Sequence, residues 1–155
     1  MRKSLFLALI LAVAACFAVS AADAPWFDLE KCGFCKTLAD QPGLIDHMTT
    51  EYHNLHNGTM SFTHIDSAYQ PAFAKAQEAM RPVIMDLQAG KPVYTCPHCT
   101  ELGALMMAGV IPDQIRSGDY IFVVYTSSDS AMVARLQEFG RKSAEGLAAF
   151  KAKQK

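Results

Sequence analysis

The feature that most constrains this chain is a motif that occurs twice. Cys32-Gly33-Phe34-Cys35 and Cys96-Pro97-His98-Cys99 share the spacing Cys-x-x-Cys, and a leucine follows each three positions later, Leu38 and Leu102. The echo continues downstream. Asn57-Gly58 before Met60-Ser61-Phe62 answers Ser117-Gly118 before Tyr120-Ile121-Phe122, and Ala74-Lys75-Ala76-Gln77-Glu78 answers Ala134-Arg135-Leu136-Gln137-Glu138. Cys35 answers Cys99 and Gly58 answers Gly118, so a single short gap between those points aligns the copies. Six of the 23 positions from Gly58 to Met80 are identical in the two. The chain reads as an internally duplicated unit, repeat 1 over about 26–90 and repeat 2 over about 91–150.

The N-terminus reads as a leader. Met1-Arg2-Lys3 is basic, Leu5 to Val19 is apolar, and Ser20-Ala21-Ala22 supplies small residues for cleavage, so residues 1–22 are expected to be a signal peptide. The apolar run is shorter than the ~20 residues of a spanning helix. Val13-Ala14-Ala15-Cys16 also resembles the lipobox of bacterial lipoproteins, which implies acylation of Cys16 and a membrane contact through that lipid alone. The expected location is periplasmic or secreted, or lipid-anchored through Cys16. Residues 23–155 then make one domain with room for a sizeable core. A formal charge of −1, with acids and bases mixed along the chain, gives no nucleic-acid footprint.

The coarse pattern is α/β or α+β. Trp26 to Leu29 suggests a short strand, Cys35 to Gln41 a helix, and Leu44 to Leu55 a second helix on apolar steps of three and four. Thr59 to Ile65 reads as a strand. Ala68 to Ala89 reads as a long helix that Pro82 should break or kink near Arg81. Val93 to Thr95 leads strand-like into Cys96, Thr100 to Ala108 is helical, Tyr120 to Thr126 is an apolar strand, and a last helix runs to about Phe150. Each unit is expected to run strand, Cys-x-x-Cys at a helix start, helix, strand, helix. The two pseudo-symmetric halves should share one sheet.

Of five cysteines, Cys16 belongs to the leader, and the other four lie in the two motifs. Each pair has a bite suited to tetrahedral zinc or to Cu(I). Halves related by a pseudo-twofold axis can bring Cys32, Cys35, Cys96 and Cys99 together as one four-thiolate set. His53 and His56, three apart, are further candidate ligands. With His47 and His64 they form a cluster confined to repeat 1, for which polar surface positions and one core histidine at a strand end are the more ordinary explanation. Met80, Met85, Met106, Met107 and Met132 fall in helical segments where core packing is the ordinary role.

Cys-Pro-His-Cys at 96–99 resembles the motif of periplasmic disulfide-forming members of the thioredoxin superfamily, and Cys-Gly-Phe-Cys is similar to others there. The resemblance is confined to the two tetrapeptides. Pro112 follows Cys99 too closely to serve as that family's cis-proline loop, and each repeat is too short for its domain. What the likeness implies is a thiol-disulfide oxidoreductase with Cys96 as nucleophile, Cys99 as resolving thiol and His98 adding positive charge to tune them. A third alternative is a binding module in which the cysteines form structural disulfides. The leading expectation is a metal-binding or metal-handling protein, not an enzyme. Its ligands would be the four cysteines, its metal zinc first and Cu(I) second, and its partners the metal ion and possible exported proteins.

Overall fold

The structure, a computed structural model, describes residues 24–153. The expected leader and Cys16 lie outside the described residues. Helix α1 (Cys35–Ala39) is followed by a 3-10 turn at Ile45–His47 and the hairpin of β1 (Met48–Leu55) and β2 (Gly58–Ile65). After a 3-10 turn at Ser67–Tyr69 come α2 (Gln70–Gln88) and α3 (Pro97–Met107). A second hairpin of β3 (Asp113–Ser117) and β4 (Tyr120–Thr126) leads into α4 (Ser130–Lys153). One four-stranded antiparallel sheet results, in the order β1-β2-β4-β3, with β2 and β4 paired at its centre and Phe62 opposite Phe122.

The mixed α/β class and the single shared sheet agree with the sequence; the unit order does not. Each half runs Cys-x-x-Cys, helix, hairpin, helix. Trp26 to Leu29 and Val93 to Thr95 form turns and extended chain rather than strands. The helix expected over Leu44 to Leu55 is a 3-10 turn followed by β1. There Met48, Thr50 and Tyr52 turn inward while Thr49, Glu51 and His53 are exposed, a period of two in a segment with consecutive threonines. Pro82 leaves α2 continuous. Its ring lies on an exposed side of the helix, where water can satisfy the carbonyl that loses its partner.

Register shows which face of the sheet is covered. Tyr52, Ser61 and Val123 align across β1, β2 and β4, as do Thr59 and Tyr125 across β2 and β4. Tyr52, Val123 and Tyr125 pack with Leu105, Leu136 and Phe139 of α3 and α4. On the same face, Ile65 and Ile121 meet Phe73 and Ala76 of α2, along with Leu44. All the long helices therefore pack on one face. Met132 joins this packing, whereas Met85, Met106 and Met107 are exposed, contrary to the core role expected of them. No described helix is long and apolar enough to cross a membrane.

Two glycines let α4 pack closely, Gly140 on the sheet and Gly146 on Trp26. A Cβ on Gly140 would lie 2.2 Å from Thr59 Oγ1 and 2.5 Å from Asn54 Oδ1, and one on Gly146 would lie 2.6 Å from the Trp26 ring. Gly140→Ala should therefore destabilise the protein by about 1–3 kcal/mol, because helix or strand must shift. Gly103→Ala, on an open part of α3 with nothing within 4 Å, should be neutral or stabilising by about 0.5–1 kcal/mol. Urea denaturation of the two variants measures both.

Candidate metal centre

The two motifs form similar local structures and are tied to each other. Cys32 ends a turn in which Asp28 Oδ1 accepts the backbone N–H groups of Glu30 and Lys31. Cys35 opens α1, and the Lys36 N–H returns to the Cys32 carbonyl at 2.9 Å. In the second motif Cys96 is the N-cap of α3, Pro97 occupies its first turn, and the Thr100 N–H returns to the Cys96 carbonyl at 2.9 Å. The Gly33 N–H donates to the Tyr94 carbonyl at 2.9 Å, and the His98 N–H donates to the Trp26 carbonyl at 3.1 Å. Each motif thus hydrogen-bonds to the segment leading into the other. Gly33 must remain small, since a Cβ there would lie 2.9 Å from Val93 and 3.1 Å from Val83 of α2.

These ties bring the four sulfurs together. Cys35 Sγ lies 3.6 Å from Cys96 Sγ and 3.7 Å from Cys99 Sγ, and all four sulfurs fall within 4.8 Å of one another. A disulfide would need about 2.05 Å, and all four cysteines are free thiols. The disulfides of the third alternative are therefore not formed here. A tetrahedral zinc with bonds of about 2.3 Å places its sulfurs about 3.8 Å apart, close to the separations found. Cys32 and Cys96 are fully buried, Cys35 nearly so, and Cys99 is half-buried, with Phe27, Leu29 and Phe34 around them.

The sulfurs divide one another's charge. Cys96 is held far below the ordinary thiol range by hydrogen bonds from Cys35 and then Cys99. Cys35 is pushed well up by its bond to Cys96, and Cys99 by its bonds to Cys35 and Cys96. The group stabilises one thiolate at the expense of the others, the arrangement expected where a cation is needed for all four to ionise.

His98 does not carry the positive charge assigned to it by the oxidoreductase reading. Its ring is 4.5 Å from that of Phe27 and 5.1 Å from that of Phe139, and burial pushes its pKa down to about 4. Its Nε2 pairs with the Tyr52 hydroxyl at 3.0 Å, and its Nδ1 faces Cys99 Sγ at 3.9 Å. Tyr52, whose own ionisation burial pushes well above the usual phenol range, has a part that its sequence context did not signal. The histidines expected as further ligands lie elsewhere. His53 is exposed on β1 beside Glu51, His56 is in the hairpin turn, and His47 pairs with Asp66 and stacks on Tyr69. His64 faces Asp66 and Tyr120. Among the described residues the cluster of potential metal ligands consists of the four cysteines alone, without His53 or His56.

No protein-family model, no curated protein and no solved structure matches the chain.

The lowered pKa of His98 makes stability depend on pH. An unfolded chain takes up this proton as pH falls through about 6.5, whereas the folded protein resists until about 4. Stability of the metal-free protein should therefore be full above about pH 6.5 and fall toward about pH 4. Chemical denaturation across that range should show a smaller loss in His98→Gln than in the parent. Equal losses would mean that His98 titrates as an ordinary exposed imidazole.

Proposed function

We propose that this is an exported metal-binding protein whose two Cys-x-x-Cys motifs form one tetrathiolate centre, with zinc as the first expected metal and Cu(I) the second. The observation that carries the reading is the convergence of four free sulfurs within 4.8 Å, from two motifs that lie far apart in the chain. Four protein thiolates make a closed coordination set, which leaves no open position for a substrate or activated water. This supports a bound metal that holds the two motifs together and not a catalytic one. Soft sulfur donors also suit Cu(I), but Cu(I) does not require the full tetrahedron that these distances fit. The oxidoreductase alternative has less support, because Cys96, its nucleophile, is completely buried.

Residues 1–22 support export, with a lipid anchor through Cys16 as the other form of the same reading. We also read the two halves as copies of one ancestral unit. The common order of motif, helix, hairpin and helix supports this, as does the pairing at the sheet centre of Phe62 with Phe122, which the repeat makes equivalent.

Zinc added to chelator-treated protein should raise the melting temperature by several degrees, saturating at one equivalent per chain. Cys35→Ser should lower zinc affinity by at least about tenfold, because serine supplies a hard, weakly acidic oxygen in place of a thiolate. An unchanged melting temperature with zinc and with Cu(I) would contradict the metal reading. Fractionation of cells expressing the full chain should place it outside the cytoplasm; retention in the cytosol would contradict export.

A further inference from the structure

The thiolate centre is joined to the sheet by partly buried polar groups that four sulfur ligands alone do not require. Trp26 Nε1 donates to Ser143 Oγ at 3.1 Å. Ser143 is fully buried in α4. The Tyr52 hydroxyl meets His98 Nε2 at 3.0 Å, and His98 Nδ1 faces Cys99 Sγ at 3.9 Å. An indole N–H only donates, so Ser143 Oγ is the acceptor in its bond with Trp26. Where the Tyr52 hydroxyl donates to His98, its hydrogen points at Nε2. The imidazole hydrogen is then on Nδ1, the nitrogen that faces sulfur.

We propose that His98, oriented by Tyr52, is a positioning residue that directs an N–H group at Cys99 and so sets how firmly this sulfur holds the metal. The inference rests on the tetrathiolate reading above. Cys99 is the ligand for which such control matters most, because it is the only one of the four that is not buried. An N–H group aimed at a metal-bound thiolate withdraws electron density from it. The sulfur becomes less prone to protonation, alkylation and exchange, and partners of this kind change metal affinity by about 10–100-fold when removed. The surroundings of the imidazole suit the role. Phe27, Phe139, Trp26 and Tyr52 enclose the ring, so its nitrogens have few other partners.

The test uses the purified full chain loaded with cobalt(II), whose sulfur-to-metal charge-transfer bands report the electron density on the thiolates, and zinc release to a chromogenic chelator in parallel. Tyr52→Phe keeps the ring and removes the hydroxyl that fixes the tautomer. His98→Phe removes the donor, whereas His98→Asn places an amide N–H near the position of Nδ1. His98→Phe should move the charge-transfer bands to lower energy and release zinc about tenfold faster or more. Tyr52→Phe should do the same to a smaller extent, and His98→Asn should return both readouts toward those of the parent. A merely structural role would leave the band energies in place in every variant that still binds cobalt. Unmoved bands with parental zinc release would overturn the proposal while leaving the tetrathiolate centre standing. Parent protein that gives no thiolate-to-cobalt band would overturn both. Should His98→Phe fail to fold, Tyr52→Phe against the parent decides by the same bands.

Discussion

Four sulfur atoms within 4.8 Å cannot all be thiolates without a cation among them. At an effective dielectric constant of 20, two unit charges about 4 Å apart repel by roughly 4 kcal/mol. The six pairs among four sulfurs would together cost roughly 25 kcal/mol, more than the roughly 5–15 kcal/mol that usually holds a domain together. The metal-free group therefore keeps most of its protons, with Cys96 as the favoured thiolate. A divalent cation at the centre would reverse that balance. Release of protons and capture of metal would in this way be one event, and the rest of the molecule keeps the four sulfurs close together.

That closeness is a product of the fold and not of either motif alone. Each Cys-x-x-Cys makes its own turn, but the crossed hydrogen bonds from Gly33 to Tyr94 and from His98 to Trp26 set one beside the other. The β2–β4 pairing joins the two hairpins into one sheet. Helix α4 then presses on that sheet at Gly140 and holds Trp26 at Gly146. Tyr52 reaches His98 from the inward face of β1, so the edge strand of the sheet is in direct contact with the second motif. Packing between α4 and the sheet and geometry at the sulfurs are consequently linked through a few buried residues.

Much of this was legible in the sequence, and the misses have physical reasons. Tyr120 to Thr126 was plain because an unbroken apolar run on a central strand has one reading, and the observed strand has those bounds. Met48 to Leu55 misled because Leu44 and Leu55 completed a helical spacing although Leu44 belongs to the turn and Leu55 lies on the opposite face of the sheet from Tyr52. The strand Asp113–Ser117 gave little signal, since every one of its residues is exposed at the sheet edge. At the site, the four cysteines were evident from spacing, and the repeat expected from the sequence suggested that they could meet. Tyr52, Trp26 and Ser143 were not evident. Tyr52 is far from His98 along the chain, and Trp26 is farther still from Ser143; no local pattern reports contacts at such range.

The central claim is that the two motifs share one metal ion, and it is tested most directly by counting metal and thiols on the same sample. Protein purified from expressing cells without chelator or reductant would be weighed by native mass spectrometry and then denatured in chelator for thiol titration. The account predicts one metal ion per chain and four thiols from Cys32, Cys35, Cys96 and Cys99 after denaturation. A chain with no metal, no thiols and a mass lower by the four hydrogens of two disulfides would contradict it.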